Sequence, residues 1–169
     1  MMADKLKLPQ GDRQLLESEI AQRLLASTIP ARLAYLAEDG TPRVLPTWFH
    51  WTDEELVMAT FIAAPHMRRP AARLKALRAN PNVAVTIDTE DFPPQVLLLR
   101  GQVAITETPG IVPEYALAAQ RYIGNEAAAA YLAQFEQTGV TMARIALQPA
   151  WVGMIDFETR LPNNMAGAD

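Results

Sequence analysis

The chain has no cysteine, which excludes disulfides, thiolate nucleophiles, zinc fingers and iron–sulfur ligation together. Histidine is almost as scarce: His50 and His66 are the only two, too few and too isolated for the usual transition-metal sites. The only serines, Ser18 and Ser27, both fall in a segment that reads as helix, and neither stands in a nucleophile-elbow sequence. This argues against Ser-His-Asp hydrolysis. No apolar run is long enough to cross a bilayer and no secretory signal is legible, so the expected compartment is cytoplasmic. A formal charge of −4 gives no general affinity for nucleic acid or an anionic membrane, and neither is expected as a partner. What remains is 169 residues, half of them apolar and 20% charged, the balance of one domain with a full core. The expectation is a single domain over 1–169, loose at 1–11 and 161–169. With so few reactive side chains, any difficult chemistry would be carried by a borrowed cofactor; a binding protein remains the alternative.

Apolar periodicity predicts a first helix from Asp12, its N-cap, to Pro30, along the stripe Leu16, Ile20 and Leu24. Three strand-like runs follow: Ala31 to Ala37, Pro42 to Trp51 and Glu55 to Ile62, with Glu38-Asp39-Gly40 as a hairpin turn. Pro46 inside the second run marks an edge or a bulge. Tight turns between the three runs predict an antiparallel meander. Pro70 opens a helix that ends at Asn80-Pro81, and Val83 to Ile87 is a fourth strand. Gln95 to Thr106 is a fifth, with Gly101 at a bulge or bend. Ile111 to Gln137 reads as two alanine-rich helices, the second capped by Asn125. Thr141 to Leu147 and Ala150 to Phe157, parted by Gln148-Pro149, are the last strands. The fold class is mainly β with α insertions: an antiparallel barrel of six or seven strands with peripheral helices.

Charge is unevenly spread. Between Glu55 and Asp88 there is no acidic residue, yet Arg68, Arg69, Arg73, Lys75 and Arg78 all fall there. Arg68, Arg69 and Arg73 gather at a predicted helix start, where the helix dipole disfavours cations unless an anion is bound. Free N–H groups and guanidinium forks would converge on a phosphate at that place. The plainer reading is a solvated face, or pairing with Glu38, Asp39 or Asp91; Lys75 and Arg78 are assigned to solvent. A second feature is the aromatic run Thr47-Trp48-Phe49-His50-Trp51, beside Met58-Ala59-Thr60-Phe61. Alternation sends Trp48 and His50 to one face, and Thr47, Phe49 and Trp51 to the other. Such strands suit a planar ring, with Thr60 and backbone freed by Pro46 reading its polar edge. Core packing explains the same residues, and His50 is equally a structural histidine.

The stretches Arg32 to Ala37, Asp39 to Phe49 and Leu56 to Thr60, followed by Arg73 to Val85 and Leu99 to Val103, resemble the flavin-binding split-barrel family related to pyridoxamine 5′-phosphate oxidase. The resemblance implies a homodimer with FMN at the subunit interface, or the deazaflavin F420 in some branches, acting on a small-molecule substrate. Under it, Leu45, Pro46, Thr47, Trp48 and His50 belong to the strand that lines the flavin, and Ala59 and Thr60 to its neighbour. Arg73 takes the place of the phosphate-binding base, and Gln95 matches a glutamine reaching in from the other subunit. The segment from Phe61 to Ala72 departs from the family in length, carrying Pro65, His66 and Pro70. Ala72 stands where a second base can occur, which leaves that role to Arg68 or Arg69. The tryptophan and arginine pattern of true pyridoxamine phosphate oxidases is missing after Trp151, which speaks against vitamin B6 oxidation. A flavin carrier or sensor without turnover is a further alternative. So is a haem-binding barrel, with only His50 and His66 as axial ligands.

Overall fold

Ser18 divides the N-terminal helical segment in two. Its hydroxyl donates to the Leu15 carbonyl (2.7 Å) and accepts from the Ala21 amide (3.2 Å). It thereby closes a 3₁₀ turn, Arg13–Glu17, and opens helix α1, Glu19–Ala26. The single helix expected from Asp12 is thus two pieces. Asp12 caps only the 3₁₀ turn, and the two serines stand at the ends of α1, where their hydroxyls satisfy backbone groups that a helix leaves open. The computed structural model describes residues 8–64, 67, 71–136 and 139–160.

Strands β1 (Ala31–Leu36) and β2 (Pro42–Thr47) form the expected hairpin, closed over Gly40 at a φ of +77° that favours glycine. Strands β3 (His50–Trp51) and β4 (Leu56–Ala63) form a second hairpin. With β5 (Asn82–Asp88), β6 (Gln95–Pro109) and β7 (Thr141–Asp156) they make one antiparallel sheet, ordered β2-β1-β5-β6-β7-β4-β3. The expected meander is therefore corrected. Pro42 to Trp51 is two strands at opposite ends of the sheet, joined through Trp48 and Phe49 alone. From Thr47 to His50 the chain takes three steps of about 3.8 Å, so the two edges lie within about 11 Å of each other. A seven-stranded sheet meets that condition only by rolling into a barrel with an open seam. Pro46 falls on edge strand β2, where its missing N–H removes no ladder bond from a central strand.

The two final strands expected around Gln148-Pro149 are one. Pro149 falls opposite Gly101, where the β6–β7 register shifts by a residue, so the bulge absorbs the proline and β7 runs on. A Cβ on Gly101 would stand 2.8 Å from the Gln148 carbonyl oxygen and 3.0 Å from Leu147 Cδ1. Gly101→Ala should therefore cost about 1–3 kcal/mol through overpacking. The check is a lower urea midpoint at unchanged slope.

Helix α2 (Ala72–Ala79) follows β4, and α3 (Pro113–Ile123) and α4 (Asn125–Ala133) lie between β6 and β7. Pro70, expected in the first turn of α2, lies outside the described residues. Gly124, at φ +84°, takes the capping position expected for Asn125, which is the first residue of α4 and makes no side-chain cap. The main core packs Leu24 and Leu25 of α1 and Leu74 and Leu77 of α2 against Leu33, Val85, Leu97, Leu99, Ile145 and Met154 of the sheet. A smaller cluster, Ala59, Val112, Val140 and Met142, seats the start of α3 beside β4.

Candidate functional site

A cleft of about 400 Å³ opens along the seam. Pro46, Thr47 and Trp48 line it from the end of β2 and the link, Ala59, Thr60 and Phe61 from β4, and Arg73 from α2. Tyr115 of α3 and Tyr131 of α4 complete the wall. Six residues expected at a cofactor site thus meet in one cavity: Pro46, Thr47, Trp48, Ala59, Thr60 and Arg73. Three others do not line it. Leu45 packs against the main core instead. His50 lines a different depression, since the crossover at Trp48–Phe49 ends the strand alternation that paired it with Trp48. Phe49 is fully buried. Gln95 begins β6 opposite Asp156, and its side chain accepts a hydrogen bond from Arg23. Arg68, Arg69 and His66 lie outside the described residues.

Arg73 is the charged group of the cleft. Its Nη2 donates to the Ala59 carbonyl over a long 3.4 Å, while its Nε is buried with no partner. Among the described residues no carboxylate comes within 4.0 Å of it. Burial lowers its pKa from the usual guanidinium value, and arginine side chains stay charged in proteins at neutral pH. The neighbouring bases differ sharply. Lys75 pairs with Glu38 (2.7 Å) and Arg78 with Glu107 at the surface. Lys75 and Arg78 are thus exposed, as their assignment to solvent expected, and each also meets a carboxylate there, whereas Arg73 meets none among the described residues.

Aromatic rings form the opposite wall, and their part was missed in the sequence. Tyr115 and Tyr131 share a hydrogen bond between hydroxyls (2.8 Å), and Trp48 lies 6.3 Å from each ring. Burial, followed by the bond to Tyr131, raises the Tyr115 pKa well above that of a free phenol, so it stays a neutral hydroxyl. Read along the chain, these tyrosines are only packing faces of alanine-rich helices. Arg144 places them: its Nη2 reaches Glu55 (2.8 Å) and its Nε Glu114 (2.8 Å), tying α3 to β7 and the second hairpin. Among the described residues no group of three or more His, Asp or Glu could hold a metal ion.

The sequence matches no protein-family profile and no curated protein. Solved structures do match. An F420 reductase is 25% identical at a TM-score of 0.56, covering 75% of this chain and 90% of its own. A conserved hypothetical protein from Mycobacterium tuberculosis is 17% identical at 0.60, covering 86% and 89%. A pyridoxamine 5′-phosphate oxidase homologue from Listeria innocua, so described by similarity, is 14% identical at 0.52, covering 78% and 92%. Sheet order, open seam and these neighbours agree: the chain has the split-barrel fold of the pyridoxamine 5′-phosphate oxidase-like proteins.

Proposed function

We propose that the seam cleft binds FMN and that the protein is a flavin-dependent oxidoreductase acting on a small organic substrate. The observation that carries this reading is Arg73, an unneutralised guanidinium in a cleft otherwise walled by strand backbone and aromatic rings. A phosphorylated planar ring satisfies both halves of that cavity at once. The chemistry such a group supplies when bound is exchange of hydride or electrons. The chain's own share is binding and orientation. Arg73 holds the phosphate, aided by Arg68 and Arg69, while Thr60 and the backbone of Pro46 to Trp48 meet the polar edge of the ring. Tyr115, Tyr131 and Trp48 exclude water from one side.

A second copy of the chain would close the open side, with Gln95 reaching into its partner's cleft. The exposed apolar residues Leu36 and Val44 on the first hairpin, Val44 being 66% exposed, support burial of that region in a dimer. Deazaflavin F420 is the second reading, favoured by the 25% identity to an F420 reductase. The test is to purify the protein, release any chromophore and identify it by mass, then titrate the stripped protein with FMN and with F420. FMN recovered, or bound the more tightly of the two, supports the first reading; preference for F420 replaces it with the second. Failure of both to bind would sink the assignment of the cleft.

A further inference from the structure

We propose that a second depression, between α1, the β3–β4 hairpin and α3, binds a small aliphatic monocarboxylate. It has a volume of about 340 Å³, is lined by Gln22, Leu25, His50, Trp51, Asp53, Leu117 and Arg121 among others, and shares no residue with the seam cleft. The inference does not depend on what the cleft binds.

Arg121 is the first reason. It is partly buried at the C-terminal end of α3, where Nη2 donates to the Phe49 carbonyl. The guanidinium carbon lies 4.6 Å from the Phe49 ring centre and 4.9 Å from that of Tyr122. Its Nε is buried without a partner, and among the described residues no carboxylate lies within 4.0 Å. Arg32, Arg43, Arg78 and Arg144 face carboxylates, and Arg13, Arg23 and Arg100 are exposed to solvent; Arg121 shares with Arg73 a partly buried guanidinium whose Nε has no partner among the described residues. Trp51, on the same wall, carries a second orphan donor: its indole Nε1 is buried and unbonded. Two residues that line one cavity thus carry donors that the chain leaves unsatisfied.

The rest of the lining narrows the class. Asp53 lines the same depression, so one carboxylate already faces it, while Glu114 lies outside the lining and is paired with Arg144. With Asp53 and Arg121 together in the lining, a dianion such as phosphate would leave twice the excess negative charge that a monoanion leaves, so the singly charged ligand is favoured. Burial, then Arg121, keeps His50 below its usual pKa, leaving it a neutral ring with one donor and one acceptor. Leu25, Ala26 and Leu117 supply an apolar floor, and Leu117 is 45% exposed, large for a leucine on a packed helix. Such a floor suits an alkyl chain.

The test uses the full chain, with octanoate as probe and 1-octanol and octylamine as uncharged and cationic controls. Calorimetry should show saturable octanoate binding, and the Trp51 indole proton should shift in NMR spectra. Arg121→Gln should weaken binding by at least about tenfold, the worth of a charge-assisted hydrogen bond. Because Arg121 also holds the Phe49 carbonyl, Leu117→Trp is the second variant: it fills the cavity from its exposed side and should weaken octanoate equally while the melting temperature is kept. Arg73→Gln should leave octanoate binding unchanged. The proposal is overturned if octanoate does not bind, if either control binds as well, if both pocket variants bind normally, or if octanoate competes with FMN.

Discussion

Arg73→Met should weaken FMN binding by about ten- to a hundredfold, corresponding to about 1.5–3 kcal/mol for a hydrogen bond to a charged group. Methionine keeps most of the aliphatic stem that packs beside Ala59 while removing the charge. The sign of the stability change separates a binding role from a structural one. In the ligand-free protein Arg73 is a half-buried cation with, among the described residues, no counter-charge and an unbonded Nε. Removing it relieves desolvation, so the melting temperature without ligand should stay the same or rise. The stabilisation that saturating FMN gives the native protein should shrink with the lost affinity. Lys75→Ala is the control on the same helix: Lys75 is highly exposed and pairs only with Glu38, so neither affinity nor stability should move appreciably. Calorimetric titration with FMN and thermal melts with and without it read both parts. If Arg73→Met and Lys75→Ala proved equally harmless to affinity, Arg73 would not be the phosphate anchor.

The largest expected loss of stability comes from Phe49→Ala. Phe49 is completely buried and heads the group of largest fully buried side chains. Its ring meets Tyr122 edge-on at 6.3 Å and lies under the Arg121 guanidinium. Truncation leaves a cavity and costs about 3–5 kcal/mol, a large part of the roughly 5–15 kcal/mol available to a domain of this kind. In a chain of this length that lowers the melting temperature by roughly 6–20 °C. Phe49→Leu, which keeps most of the volume, should cost distinctly less. Thermal and urea unfolding of the two variants are the measurements, and a loss below 1 kcal/mol for alanine would mean that the link packs elsewhere.

Much of this architecture was legible because local chemistry and tertiary demand coincide. Gly40 and Gly101 are where a positive φ and a close backbone approach leave little alternative, and both mark the features expected of them. The charge asymmetry pointed to a base without a partner but did not single out Arg73, since Lys75 and Arg78 of the same run pair with Glu38 and Glu107. Other features resisted for physical reasons. Nothing in Thr47-Trp48-Phe49-His50-Trp51 breaks β propensity, so the change of sheet edge there is invisible to a local reading; it is imposed by burial of Phe49. Gln148-Pro149 looks like a break because the bulge that accommodates it sits some fifty residues earlier, at Gly101. Tyr115 and Tyr131 were read as packing because a helix face does not announce which cavity it will wall. His50, read as sharing a face with Trp48, lines a different cavity from it.

The link through Trp48 and Phe49 has a mechanical consequence. Both hairpins can keep every internal hydrogen bond while the gap between their outer strands is decided by how much chain connects them. The connector works as a drawstring whose length sets the aperture. Adding residues there would let the mouth gape, and so change which guests are admitted, with no alteration to the walls themselves. If the cleft takes a ligand as proposed, its size limit would be lodged in a count of peptide units, separate from the residues that wall it.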